Sequence, residues 1–279
     1  MAKCWLDGKT AIVTGASGGM GAGIAATLIK KHGCKVIGVA RSEPKMIKFV
    51  EELGDEYKDQ FSYRLFDVSV KENWEEFEKD LKEAGIKVDI LVNNAGILPK
   101  FKRFDKYTYD EIFKTMDINF YSCVYSVKTF LPMLLESDSP AIINIDSSAA
   151  LMTLAGTSMY SASKAALKGL TEALRVEFSD KIYVSLVCPG FTKTDIFRNQ
   201  GKEESDKSDK IMNMISTDCD KMVRMIMRGI EYKYPMQVRG FDANAMWTFE
   251  RFMPVIGSKF FSADMKIANV DLFKDVFEE

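Results

Sequence analysis

Short apolar runs rich in β-branched residues recur along this chain, and most are followed by a stretch long enough for a helix. Residues 10–14 (TAIVT), 35–40 (KVIGVA), 61–67 (FSYRLFD), 88–96 (VDILVNNAG), 141–146 (AIINID) and 181–190 (KIYVSLVCPG) read as strands, the last stopped by Pro189. Helical patterns fill 20–31, 71–84, 109–136 and 158–178. Strands that are apolar almost throughout need cover on both faces, which points to a parallel sheet. Right-handed helical crossovers then give an α/β, doubly wound layer structure. Ligands in such sheets bind beyond the carboxyl ends of the strands, so the residues just after each run are the functional candidates.

The 279 residues read as a single domain over 1–279, without internal repeats or low-complexity tracts. Residues 195–262 leave the alternation and are expected to form a lid and a C-terminal segment for substrate or oligomer contacts. Within them, 200–210 (QGKEESDKSDK) suggests a mobile loop, 217–230 a helix capped by Thr217 or Ser216, and 236–240 a last strand. Residues 245–261 are apolar but interrupted by Glu250, Arg251 and Lys259. They are expected to pack over the core or a partner subunit, with an interfacial membrane helix as the alternative.

Charge narrows the function. Lys and Arg number 38 against 40 Asp and Glu, a net charge of −2, which is a poor basis for gripping phosphodiester backbone. Cys4, Cys34, Cys123, Cys188 and Cys219 are scattered, with no CxxC pair and no evident Cys/His zinc cluster, so reduced thiols are expected. No run is long and apolar enough to span a membrane, and a structured motif begins by residue 14, so a soluble, cytoplasmic protein without a secretory signal is expected.

The first strand runs into Thr14-Gly15-Ala16-Ser17-Gly18-Gly19-Met20-Gly21 and then a helix. Glycines let a chain turn tightly and approach a pyrophosphate, and the helix start offers free N–H groups and a positive dipole end. The same residues would also suit an ordinary strand–helix turn, but their place after the first strand favours a nucleotide. An NAD site wants an acid roughly 20 residues beyond the glycines. Ala40, 19 residues past Gly21, is neutral, and Arg41 and Ser42 follow. A guanidinium and a hydroxyl suit a 2′-phosphate, so NADP is expected over NAD. Asp67, ending the third strand, is placed to accept from an adenine amino group, with capping of the next helix as a competing role.

Tyr160 and Lys164 stand at i and i+4 and share one helical face, while Ser147 ends the fifth strand, 13 residues earlier. A free phenol titrates at about 10 and is a poor proton carrier at neutral pH; a neighbouring ammonium favours the phenolate. Tyr160 is therefore the expected acid/base toward an alcohol or carbonyl oxygen, with Ser147 hydrogen-bonding that oxygen.

In order along the chain, Thr14-Gly15-x-x-x-Gly19-x-Gly21, Asn93-Asn94-Ala95-Gly96, Asn119, Ser147, Tyr160-x-x-x-Lys164 and Pro189-Gly190 resemble the short-chain dehydrogenase/reductase family over roughly residues 8–195, with a hydroxysteroid-dehydrogenase-like member among the readings. The resemblance implies a Rossmann-like fold and hydride transfer between a nicotinamide and a secondary alcohol or ketone. It makes Tyr160 the acid/base, Lys164 its modulator and a ligand of the nicotinamide ribose, Ser147 the orienter of the substrate oxygen, and Asn119 the anchor of a water on the proton path. It sets Gly15, Ser17 and Met20 beside the pyrophosphate and adenosine, Asp67 and Val68 at the adenine, and Asn94, Ala95 and Gly96 beside the riboses. Pro189, Gly190, Thr192 and Thr194 would bracket the nicotinamide, and Asn93 would tie strands together. Two residues depart from the pattern: Gly18, where many NADP-using members carry Lys or Arg, and Asp146, where a small residue often precedes the serine.

Substrate candidates follow the fourth, fifth and sixth strands: Leu98, Ala149, Leu151, Leu154, Phe191, Ile196 and Phe197. They are apolar and include no cation, which favours a bulky apolar alcohol or ketone such as a steroid or bile acid. A small carbonyl, sugar or acyl substrate and a nucleotide-binding scaffold without turnover are the alternatives. Met212, Met214, Met222, Met225 and Met227 would either adapt to a flat ligand or belong to the core. The only histidine, His32, reads as a helix-terminal residue, which sets aside a Ser/His/Asp hydrolase, and the chemistry calls for no metal. The resemblance also implies a homodimer or homotetramer built on the helices at 109–136 and 158–178.

Overall fold

The structure, a computed structural model, describes residues 4–194, 196, 215–267 and 276. Seven parallel strands form one sheet in the order β3-β2-β1-β4-β5-β6-β7. They are β1 Thr10–Thr14, β2 Lys35–Ala40, β3 Phe61–Leu65, β4 Ile90–Asn93, β5 Ala141–Ile145, β6 Tyr183–Pro189 and β7 Met236–Arg239. The order reverses between β1 and β4, and the carboxyl ends at that switch point open a crevice.

Period-two alternation divides the interior strands between two cores. Ala11, Val13, Ile143 and Ile145 pack toward α1 (Gly19–His32), α2 (Glu43–Leu53) and α7 (Cys219–Glu231). Ile12, Leu91, Ile142 and Val184 face α3 (Lys71–Glu83), α5 (Ser122–Leu135) and α6 (Ser158–Glu177), with Trp74 and Phe130 wholly buried among them. The doubly wound reading of the sequence thus holds, residue by residue. Met222 and Met227 lie in the first core, so these two fill space beside the sheet instead of lining a lid, and Met225 packs against them.

Several boundaries differ from the sequence reading. The helix expected over 109–136 is three pieces: α4 (Tyr109–Met116), a π turn at Asp117–Tyr121, and α5. A capping box of Thr108 and Glu111 starts α4. Helix α7 begins after Asp218, whose carboxylate accepts the Asp220 and Lys221 N–H groups, so neither Thr217 nor Ser216 caps it. Thr217 instead bridges to Thr192. Helix α2, which buries Met46, Phe49 and Leu53, was absent from the sequence reading. The tail forms α8 (Phe241–Phe252) and α9 (Ile256–Ile267); Ala243 and Met246 bury against the body, while Phe252, Val255, Ile256 and Phe260 of the expected 245–261 cover stay exposed. The charged stretch 200–210, Phe197, Met212 and Met214 lie outside the described residues. Among the described residues no helix is long and apolar enough to cross a membrane.

At the amino ends of the strands, opposite the crevice, α1 ends at His32 with Gly33 in the left-handed conformation, as a helix C-terminus favours. The buried His32 ring bridges Asp7 (Nδ1 to Oδ1, 2.9 Å) and Glu231 (Nε2 to Oε1, 3.2 Å), and Lys31 meets the same Glu231 oxygen at 2.7 Å. Burial alone would raise the Glu231 carboxyl, but these hydrogen bonds hold it below its usual range. Cys4, Asp7 and His32 bring ligand-type atoms within 4.8 Å of one another, a grouping that sequence spacing did not reveal. Both ring nitrogens there are already engaged by carboxylates, which makes the group a clasp joining the N-terminus, α1 and α7.

Candidate active site

The glycine turn is shaped by what surrounds it. Gly15 sits at φ +67°, and a Cβ there would stand 2.8 Å from Asn94 Nδ2. A Cβ on Gly21 would overlap the Gly15 carbonyl, so Gly21 is required for packing within the turn and does not itself face the crevice. Thr14 Oγ1 accepts the Asn94 and Ala95 N–H groups at 2.8 and 2.9 Å, and Asn94 Nδ2 donates to the Thr14 carbonyl at 2.9 Å. These bonds hold the ends of β1 and β4 together beneath the crevice. Gly15, Ser17, Gly18, Gly19, Met20, Arg41, Ser42, Asp67, Val68, Asn94, Ala95, Gly96 and Thr194 all line it, and its empty space, open solvent included, is about 1750 Å³. A bare cradle at a helix start is what a dinucleotide pyrophosphate needs, so the residues present fit that group.

Lys45, in the first turns of α2, joins Arg41 and Ser42 on the crevice wall. Sequence reasoning missed it because α2 itself was missed; Pro44 at the helix start was the available signal. Arg41 Nη1 stands 3.7 Å from Asp67 Oδ2, with both side chains substantially exposed. Asp67 Oδ1 accepts from the N–H and Oγ of Ser69 at 2.9 and 2.7 Å; burial opposes its charge, but these bonds hold the carboxyl below its usual range. It closes a turn and does not cap α3, which starts after Val70.

A second cavity, about 820 Å³, adjoins the first. Met20, Asn94, Gly96, Leu98, Thr194 and Ile196 wall both. Ser147, Tyr160, Lys164, Pro189, Gly190 and Thr192 line it together with the expected Leu98, Ala149, Leu154, Phe191 and Ile196. Leu151 does not line it; Phe101, Met152, Thr157 and Met246 do, Met246 arriving from α8. Lys164, nearly fully buried, lies 6.0 Å from the centre of the Tyr160 ring and donates to the Ile145 carbonyl at 3.0 Å. Ser147 Oγ accepts the Ala149 N–H at 3.1 Å, which leaves its own proton to donate.

Asn119 is fully buried in the π turn. Its Oδ1 accepts the Ile97 N–H at 2.8 Å, and its Nδ2 donates to the Ile97 carbonyl at 2.9 Å and to Ser163 Oγ at 3.1 Å. It clamps the loop after β4 to the helix that carries Tyr160. Asn93 ties strands as expected: Ser126 Oγ donates to Asn93 Oδ1 (2.7 Å), Asn93 Nδ2 to Asn144 Oδ1 (2.9 Å), and Asn144 Nδ2 to Thr171 Oγ1 (2.8 Å). A further carboxylate went unforeseen: Asp242 Oδ2 accepts the Phe191 N–H at 2.6 Å.

A doubly wound sheet with a glycine cradle at its switch point and a Tyr/Lys pair one cavity away defines a dinucleotide-dependent oxidoreductase. The short chain dehydrogenase family model matches residues 9–205, and the chain belongs to that family of NAD(P)-dependent dehydrogenases and reductases. It is 35% identical over 229 residues to an 11-beta-hydroxysteroid dehydrogenase-like 2 of Arabidopsis thaliana, covering 81% of this chain and 73% of the relative. An 11-beta-hydroxysteroid dehydrogenase A of Sesamum indicum is 30% identical over 236 residues, with 81% and 67% covered. Among solved structures, actinorhodin polyketide ketoreductase with NADPH superposes with a TM-score of 0.75 at 26% identity, covering 86% of this chain and 99% of that one.

Proposed function

We propose that the protein is an NADP(H)-dependent alcohol dehydrogenase or ketone reductase acting on a bulky apolar substrate of steroid or bile-acid type. The observation that carries this reading is the shared wall: the same six residues border the glycine crevice and the cavity holding Ser147, Tyr160 and Lys164. When bound, the nicotinamide supplies or accepts hydride at its C4 carbon. Tyr160 exchanges the proton with the substrate oxygen, and the Ser147 hydroxyl donates to that oxygen. Lys164 spends one N–H on the Ile145 carbonyl and keeps two for the ribose hydroxyls. Asn119 holds the loop and helix in register around them.

Arg41, Ser42 and Lys45 support the NADP reading, since two cations and a hydroxyl at the end of β2 favour a 2′-phosphate and no carboxylate ends that strand. The apolar cavity wall and the likeness to the two plant 11-beta-hydroxysteroid dehydrogenase relatives support a steroid-like substrate. Within the one domain, Ile196 and Met246 of α8 reach the cavity, which supports a substrate-facing role for parts of 195–262, while α7 and β7 in that stretch belong to the sheet and its cover. The exposed Tyr109 and Phe113 of α4 and Val176 of α6 support a homodimer or homotetramer, and five thiols without a disulfide support a cytoplasmic setting. The test is a screen of NADPH and NADH oxidation against ketosteroids, keto-bile acids, sugars and quinones. Turnover confined to apolar polycyclic ketones with NADPH is expected; turnover confined to sugars, or with NADH alone, would overturn it.

A further inference from the structure

The geometry points to Asp146 as a positioning residue, a buried acid that competes with Tyr160 for the Lys164 ammonium and so sets how the site responds to pH. The inference rests on the roles of Tyr160 and Lys164 given above. Alternation along β5 turns Ile142, Asn144 and Asp146 toward α6, where Asn144 meets Thr171. Nearer the start of that helix, Lys164 Nζ is bonded to the Ile145 carbonyl, half of the peptide that joins Ile145 to Asp146. The Asp146 backbone is fixed by its N–H donating to Val187 at 2.7 Å. The residue is only 4% exposed, and neither carboxylate oxygen has a hydrogen-bond partner. The nearby Ser147 N–H favours the charged form.

A carboxylate without protein partners at a buried position is too costly to persist unless a cation stands near. The groups that face it are few. From α6 come Lys164, acting most strongly, then Lys168 and Glu172; from α5 comes the Cys123 thiol and from β6 the Cys188 thiol. Lys168 and Glu172 are paired at 2.9 Å and largely cancel. Burial pushes Cys123 up to about 11 and Cys188 well above its ordinary range, so both remain neutral thiols. Lys164 is therefore the cation that decides the charge of Asp146. Burial, only partly offset by Lys164, pushes the Asp146 carboxyl up to about 8. Below that pH the acid is neutral and the ammonium serves Tyr160 and the ribose; above it the carboxylate draws the ammonium back toward β5.

Two measurements on the full chain test this. With 13C-labelled aspartate in cofactor-free protein, one carboxyl should titrate near 8, vanish in Asp146→Asn, and rise by about one unit or more in Lys164→Met. An unchanged titration in Lys164→Met would overturn the pairing. In turnover of a ketosteroid with NADPH, the ratio of kcat in Asp146→Asn to wild type should climb roughly threefold or more between about pH 6.5 and about pH 9.5. A ratio constant with pH would reduce Asp146 to a structural residue and overturn the inference. Tyr160→Phe assayed alongside separates the failures: if it retains full activity, the underlying reading falls; if it is inactive while that ratio stays flat, only the role of Asp146 falls.

Discussion

The Asp242 carboxylate at the start of α8 accepts the Phe191 N–H at 2.6 Å and occupies the space a Cβ on Gly190 would need. A single acid from the C-terminal helices thus shapes the turn after β6, which lines the substrate cavity. Gly190→Ala should destabilise the fold by about 1–3 kcal/mol through overpacking. Adding Asp242→Ala should recover part of that loss, because the two sites are coupled. Urea unfolding of the two single variants and the double variant checks this; strictly additive losses would show that the residues do not press on each other.

Arg41 carries more than half of its side-chain surface exposed, so its ion pair with Asp67 contributes little to stability. Its expected role is toward a phosphate. Arg41→Ala should raise KM for NADPH about tenfold or more while leaving KM for NADH within about twofold. Lys45→Ala should act in the same direction. Equal effects on both cofactors would refute the NADP reading.

The Ser126–Asn93–Asn144–Thr171 chain runs from α5 through two central strands to α6, all four side chains fully or almost fully buried. Asn144→Leu should cost about 1–3 kcal/mol by leaving Asn93 Nδ2 without an acceptor. Asn93→Leu in the same protein should cost less than the sum of the two changes. Thermal or urea unfolding reads both values.

How much of this was legible beforehand follows from what each residue depends on. The strands were readable because each carries its own apolar pattern, and the Tyr160/Lys164 pair because helical spacing alone fixes a shared face. The π turn at Asp117–Tyr121 was hidden inside an unbroken helical pattern, since an extra residue per turn leaves no mark in composition. Lys45, Phe101 and Met246 reach the two cavities, and Asp242 the turn after β6, only through tertiary packing of elements that the sequence left undefined. Asp146 was visible as an unusual acid, but its burial against α6 appears only once β5 and α6 are packed.

That burial also makes stability depend on pH. The Asp146 carboxyl is pushed up to about 8 in the folded protein, against about 3.9 in an unfolded chain. Between those values the folded state holds a proton that the unfolded chain has released, so raising the pH favours unfolding. The contribution is complete below about pH 4 and is lost as the pH rises through about 8, amounting to a few kcal/mol. Asp146→Asn should flatten this slope in urea titrations across that window. Parallel curves for the two proteins would contradict it.

The central claim concerns the oxygen of Tyr160 and is tested by removing it. In Tyr160→Phe, kcat for ketone reduction with NADPH should fall by about three orders of magnitude, while NADPH fluorescence still reports binding within about threefold of wild type. A variant that binds NADPH normally and turns over at near wild-type rate would contradict the account.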